Sequence, residues 1–152
     1  MNALPLDSED GPGTSLPSTV GQVTILIAED EPTMSSILSH YLESLGHRVL
    51  LAKDGSEATE IAFRSTPDLI LMDVHMPIMG GLEATRLLRA STAYPEVSHV
   101  PIICLTGLNT QADKDQCLAA GASGWLIKPF RIAELNLILR DFLPPTSKSV
   151  EA

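Results

Sequence analysis

Two hydrophobic rhythms alternate along the chain. Val23 to Ala28, Leu69 to Met72 and Pro101 to Leu105 are near-continuous apolar runs of strand length, the pattern of strands covered on both faces in a parallel sheet. His47 to Ala52 and Gly124 to Ile127 are more mixed, which suits the sheet's two edges. Between these runs the apolar spacing changes to threes and fours. A first helix is predicted from Pro32, a good first-turn residue, with Met34, Ile37, Leu38, Tyr41, Leu42 and Leu45 on one stripe and Gly46 as the stop. A second is capped by Asp54 with Glu57 three residues on, turns Ala58, Ile61 and Ala62 inward and stops near Pro67. A third follows Gly80-Gly81 with Leu82, Leu87 and Leu88, and a fifth uses Ile132, Leu135, Ile138, Leu139 and Phe142. The fourth, roughly Gln111 to Ala120, has only Ala112, Cys117 and Leu118 as a thin apolar stripe and is expected to be loosely anchored. Five strands alternating with five helices predict an α/β fold, a doubly wound parallel sheet with its working site at the carboxyl ends of the strands.

The chain ends break the rhythm. Residues 1–22 hold Pro5, Pro12, Pro17, Gly11 and Gly13 without apolar periodicity, and residues 144–152 read the same way, so both are expected to be flexible tails around one domain at 23–143. On that reading no second, effector domain is present, and any output comes from the domain's own surface. A total of 152 residues with 44% hydrophobic is enough for one packed core. A net charge of −9 argues against nucleic acid as a direct ligand, because such affinity is built largely from Lys and Arg neutralising phosphates. No run is long enough to span a membrane and no secretory signal is evident, so a cytoplasmic location is expected. Cys104 and Cys117 lack metal or redox spacing and read as small core residues.

The chemistry sits where the apolar runs stop. Asp73 ends one run, and Glu29-Asp30, Thr106 and Lys128 each close another. If these runs are neighbouring parallel strands, three carboxylates, a hydroxyl and an ammonium converge on one rim. Such a pocket suits a divalent metal and transfer of a phosphoryl group to a carboxylate. Singly, acids at strand ends are usually helix caps or solvated loop residues; their joint placement carries the reading. His40, His47 and His99 are scattered without metal-ligand spacing.

Four strings, Ile-Leu-Ile-Ala-Glu-Asp-Glu-Pro from Ile25, Leu-Ile-Leu-Met-Asp-Val-His-Met-Pro-Ile-Met-Gly-Gly-Leu-Glu-Ala-Thr-Arg from Leu69, Pro-Ile-Ile-Cys-Leu-Thr-Gly from Pro101 and Gly-Ala-Ser-Gly-Trp-Leu-Ile-Lys-Pro-Phe from Gly121, together resemble the receiver domain of two-component response regulators. The segment from Leu69 looks most like receivers attached to hybrid sensor histidine kinases. The resemblance implies a flavodoxin-like (βα)5 fold with strand order 2-1-3-4-5. It implies that Asp73 is the phosphoacceptor, taking its phosphoryl group from a histidine kinase or a histidine phosphotransfer protein. It further implies Mg²⁺ held by Asp30, Asp73 and the backbone carbonyl of His75, with Glu29 acting through water; the family usually has Asp at the Glu29 position. Lys128 would pair with one phosphoryl oxygen and Thr106 would donate to another, and the Lys128-Pro129 bond would be cis. Trp125 stands where the family commonly carries a Tyr or Phe whose rotamer is coupled to the threonine, so it is either that switch or a half-buried edge-strand aromatic. The imidazole of His75 either influences water attack on the phosphoryl group or is a solvated loop side chain.

By the same resemblance the chain is a phosphoacceptor signalling domain rather than an enzyme, assisting only its own phosphorylation and dephosphorylation. Its expected output is switched binding of a downstream protein, a phosphorylation-dependent dimer being one form of it. The alternative is an intermediate or sink in a phosphorelay, passing the group to a histidine phosphotransfer protein. A flavin carrier of similar topology needs a phosphate-binding loop after its first strand, where this chain has the phosphate-repelling Glu29-Asp30-Glu31. An aspartate-nucleophile phosphatase wants a second Asp two residues after the nucleophile, where this chain has His75.

Overall fold

The computed structural model describes residues 22–143; of the expected tails, residues 1–21 and 144–152 lie outside that range. Five parallel strands, β1 (Thr24–Ala28), β2 (Arg48–Ala52), β3 (Leu69–Asp73), β4 (Ile102–Thr106) and β5 (Gly124–Ile127), form one sheet in the order β2-β1-β3-β4-β5. The helices between and after them are α1 (Pro32–Ser44), α2 (Gly55–Ser65), α3 (Gly81–Arg89), α4 (Pro95–Ser98), α5 (Gln111–Ala120) and α6 (Ile132–Phe142). The order places the mixed runs at the edges and the continuous apolar runs inside, as the hydrophobic pattern predicts.

Alternation along each strand divides the core. Ile25, Ile27, Leu69, Leu71, Ile103 and Leu105 face Leu38 and Leu42 of α1 and Leu135 and Leu139 of α6. Leu26, Ala28, Ile70, Met72 and Ile102 face α2, α3 and α4 through Ala58, Ala62, Ala84, Leu88 and Val97. Alanines on that second face let α2 and α3 approach the sheet closely. A smaller cluster of Cys104, Cys117 and Ala122, with Trp125 and Leu82 against it, seats α5.

Local chemistry explains the helix ends. Asp54 accepts from the Glu57 N–H at 2.8 Å, and Glu57 reaches back to the N–H of Lys53, one residue before the cap. Thr110 and Asp113 close a capping box on α5, which compensates at its start for a helix whose buried residues are only Cys117 and Ala120. Several stripe assignments need correction. Ile37, Leu87, Leu118 and Ile132 are all exposed to 42% or more, and the buried side of α3 is made by Ala84, Thr85 and Leu88. The short α4, started by Pro95, is additional to the five predicted helices. It tucks Val97 into the core and leaves Tyr94 stacked on Phe63, ring centroids 4.9 Å apart.

Arg89 ties three chain segments together with no carboxylate partner among the described residues. Its guanidinium donates to the carbonyls of Gly121 (2.7 Å), Ser98 (3.0 Å) and Val100 (2.6 Å) and to the Ser123 hydroxyl (3.2 Å). Gly121 caps α5 and Ser98 ends α4, so one cation meets the negative ends of two helices. Burial lowers its pKa from the ordinary value, and the four hydrogen bonds compensate the lost water.

Gly81 begins α3 directly behind Asp73. A Cβ built there would lie 2.0 Å from the Asp73 carbonyl oxygen, a clash with backbone that no rotamer relieves. Gly81→Ala is therefore expected to destabilise the fold by about 1–3 kcal/mol, the usual cost of overpacking, read as a lower midpoint in urea unfolding. An unchanged midpoint would show that the start of α3 moves freely.

Candidate functional site

The parallel sheet delivers every site side chain to one rim. β1 runs out into Glu29 and Asp30, β3 ends on Asp73, β4 ends on Thr106, and Lys128 follows β5. Hydrogen bonds extend the sheet past the strand ends: Glu29 N–H to the Ala52 carbonyl (3.0 Å), Val74 N–H to Leu105 (2.9 Å) and Lys128 N–H to Thr106 (2.7 Å). The backbone under the site is thus fixed by the sheet rather than by loops. The Lys128–Pro129 peptide bond is cis.

All five expected side chains come to this rim. Carboxylate oxygens of Glu29, Asp30 and Asp73 lie within 4.8 Å of one another. Glu29 and Asp73 are buried and Asp30 is exposed. The Lys128 ammonium sits 2.8 Å from Glu29 Oε1 and 3.3 Å from Asp73 Oδ2. The remaining oxygens of both acids are held by backbone: Glu31 N–H donates to Glu29 Oε2 and His75 N–H to Asp73 Oδ1, both at 3.2 Å.

The charge balance is negative. Three carboxylates face one ammonium, and two like charges about 4 Å apart at an effective dielectric near 20 repel by roughly 4 kcal/mol. Burial pushes the Glu29 carboxyl above its ordinary pKa; the Lys128 hydrogen bond pulls it back and neighbouring Asp73 pushes it further up. Burial also opposes the charge on Lys128, but its bonds to Glu29 and Asp73 and their charges outweigh this and raise its pKa. A hard divalent cation fits the donor set: clustered oxygen ligands, an excess of negative charge and one exposed member for access.

Thr106 is buried at the end of β4, and its hydroxyl accepts from Leu108 N–H at 3.1 Å. It belongs to both the rim and the loop leading into α5. A crevice of about 90 Å³ between that loop and α3 is lined by Thr106, His75, Leu82, Asp113 and Cys117 among others. The His75 side chain is exposed. Trp125 is half-buried against Cys104 and Cys117, with the Lys114 ammonium 5.8 Å from its ring centroid, so it packs beneath α5. Burial and the neighbouring Cys117 thiol push the Cys104 thiol well above its ordinary pKa, consistent with an inert core cysteine.

Three features of the rim escaped sequence reasoning. The close approach of Gly81 to Asp73 and the Leu108 amide on Thr106 are tertiary contacts; Gly80-Gly81 was the visible signal for the first. Ile78 adopts a left-handed φ of 70°, for which an isoleucine gives no warning.

Comparison with known proteins agrees with this geometry. The family model of the response regulator receiver domain matches residues 25–140. The probable transcriptional regulatory protein TcrX of Mycobacterium tuberculosis is 36% identical over 124 residues, covering 82% of this chain and 51% of TcrX. Protein PilH of Pseudomonas aeruginosa is 39% identical over 105 residues, covering 69% of this chain and 84% of PilH. Among solved structures, the receiver domain of the sensor histidine kinase PA1611 from Pseudomonas aeruginosa, with magnesium coordinated in its active-site cleft, is 41% identical with a TM-score of 0.72, covering 80% of this chain and 97% of that one. The chain spans about half the length of TcrX and most of PilH. Sequence, strand order and rim agree, and the chain belongs to the response regulator receiver domain family of two-component signalling systems.

Proposed function

We propose that Asp73 is the phosphoacceptor, receiving a phosphoryl group from a phosphohistidine on a histidine kinase or histidine phosphotransfer protein. The observation that carries this reading is the half-buried Lys128 ammonium shared between Glu29 and Asp73 at 2.8 and 3.3 Å. It stands where a phosphoryl group on Asp73 would place new negative charge. An Asp73 carboxylate oxygen attacks phosphorus, the P–N bond breaks, and the imidazole leaves with the bonding pair and takes up a proton. The His75 N–H holds one Asp73 oxygen and so orients the other. Lys128 pairs with a phosphoryl oxygen, and the Thr106 hydroxyl, turning its proton away from the Leu108 carbonyl, donates to another.

Asp30, Asp73 and the His75 carbonyl would hold Mg²⁺, with Glu29 contributing through water. When bound, the ion supplies the positive charge that three carboxylates and an incoming phosphoryl group require. The chain is a signalling domain, and its chemistry extends only to its own phosphorylation and dephosphorylation. Its output is switched binding of a downstream protein or a second copy through α5, β5 and α6, where Leu118 and Leu137 are about half exposed. The 41% identity to a histidine kinase receiver favours a second reading, a phosphorelay step that returns the group to a histidine phosphotransfer protein. No helix among the described residues is long and apolar enough to cross a membrane, and we place the domain in the cytoplasm with its phosphodonor.

Incubation with a phosphorylated cognate donor and Mg²⁺ should give a hydroxylamine-labile acyl phosphate on the wild type and none on Asp73→Asn. Normal labelling of that variant would remove Asp73 from the role. Mg²⁺ affinity, measured by calorimetry or Trp125 fluorescence, should be mostly lost in Asp30→Ala. It should also fall on acidification, because the ligands must be ionised; with Glu29 raised above 4.5, the loss begins at higher pH than an ordinary glutamate would give. Hydrogen exchange with beryllofluoride as phosphoryl mimic should change in α5, β5 and α6. Changes confined to α1 and α2 would exclude that output face.

A further inference from the structure

The contact that seats α5 on the sheet is made largely of sulfur. Cys117 and Ala120 are the residues that α5 buries, and Cys117 shares one small cluster with Cys104 of β4, Ala122, Trp125 and Leu82. The thiols are near enough for Cys117 to act on Cys104 through its charge and a hydrogen bond. Both are free, and they are the only two cysteines in the 152-residue chain. Either one, once oxidised within a single molecule, therefore has the other as its one thiol partner.

The two differ in access. Cys104 lies in the middle of β4 and is fully buried; burial and the neighbouring Cys117 hold its pKa above the ordinary value, which makes it a poor target for oxidants arriving from solvent. Cys117 instead lines the crevice of about 90 Å³ beside Thr106, His75, Asp113 and Gln116. A single water needs only about 10–15 Å³ of such space, so a small hydroperoxide fits beside the Cys117 sulfur. Access on one side and a buried thiol on the other is the arrangement of an attacking and a resolving cysteine.

We propose that Cys104 and Cys117 form a peroxide-responsive pair whose intramolecular disulfide fastens α5 to β4 and uncouples that helix from the phosphorylation pocket. The Cys117 sulfur attacks a peroxide oxygen, the O–O bond breaks, and the thiol proton leaves with the other oxygen as water or an alcohol, giving a sulfenic acid. The Cys104 sulfur then attacks the Cys117 sulfur; the S–O bond breaks and hydroxide departs with the Cys104 proton as water. Two thiols are oxidised and one peroxide is reduced. Little apolar surface holds α5, so it is the element that yields most readily when the two sulfurs are drawn together. The bridge closes residues 105–116 into a loop containing Thr106, Leu108 and the Thr110–Asp113 capping box. A rearrangement at Thr106 then meets a helix that is covalently held. In a reducing compartment such a bridge is transient and serves sensing rather than structure. Bridge formation is independent of Asp73; its effect on output rests on the phosphoacceptor reading.

The test treats the folded wild-type protein with limiting hydrogen peroxide, blocks free thiols with an alkylating agent and maps the peptides. A Cys104–Cys117 peptide pair that dithiothreitol separates is expected. Cys104→Ala should stop at a dimedone-trappable sulfenic acid on Cys117, and Cys117→Ala should leave Cys104 reduced. Hydrogen exchange then compares reduced and oxidised wild type with and without beryllofluoride: the change in α5 should fall severalfold on oxidation and return with dithiothreitol. Two alkylatable thiols surviving in wild type whose methionines have been oxidised would overturn the proposal, as would a disulfide found only between two copies. An α5 response of equal size in the fully bridged protein would overturn the uncoupling. If the bridge forms but the reduced protein shows no beryllofluoride response, the failure belongs to the phosphoacceptor reading, and the uncoupling falls with it.

Discussion

The partly buried ion pair between Lys128 and the Glu29–Asp73 pair is the constraint on which the rest of the rim depends. Lys128 follows an edge strand, and its ammonium reaches past β4 to acids carried by β3 and β1. One cation therefore ties the end of β5 to the ends of β1 and β3, with which β5 shares no ladder. A buried pair of this kind is weak evidence for net stability, because the desolvation of both charges opposes their attraction. Its significance is positional. The sheet hydrogen bonds under Glu29, Val74 and Lys128 spend the fold's rigidity on holding like charges close, and the ammonium makes that tolerable while leaving negative charge for a cation to meet.

How far the chain could be read without coordinates depended on which interactions are local. The strands were legible because burial on both faces leaves continuous apolar runs such as Leu69 to Met72, and parallel strands bring their carboxyl ends to one side. Asp73, Glu29, Asp30, Thr106 and Lys128 were legible for the same reason, each lying where a run stops. Helix faces were less so. Ile37, Leu87 and Ile132 fit three-four spacing and are nevertheless exposed, because small residues such as Ala84 and Thr85 make the close approach instead. Arg89 and Ile78 were not legible at all: one is defined by carbonyls from two distant segments, the other by a turn that its own residue type disfavours.

The two sides of the rim differ in how firmly they are held. Towards β1 and α2, the Met79–Gly55 bond and the packing of Gly81 on Asp73 leave no slack for the backbone. Towards β5, α5 buries only Cys117 and Ala120 and is retained by its capping box at one end and Arg89 at the other. One device is local and the other a polar tether from α3, so little apolar surface holds α5 to the sheet. A domain with one rigid wall and one weakly seated wall responds to a change in the pocket on the weak side.

Thr106 is the point where such a change enters. Its hydroxyl is engaged by the Leu108 amide, the first step of the loop that leads to Thr110 and α5. On the proposed chemistry a phosphoryl oxygen takes the hydroxyl proton in place of the Leu108 carbonyl, to which it donates at 3.5 Å, and as the hydroxyl turns the Leu108 amide that it accepts from is drawn with it. A typical hydrogen bond contributes about 0.5–1.5 kcal/mol net, a large share of the roughly 1–3 kcal/mol that couples allosteric sites. Exchanging one such bond is small against a packed core but comparable with what seats a helix through two buried small side chains. Trp125, held between the Cys117 side of α5 and the Lys114 ammonium, would feel that displacement directly.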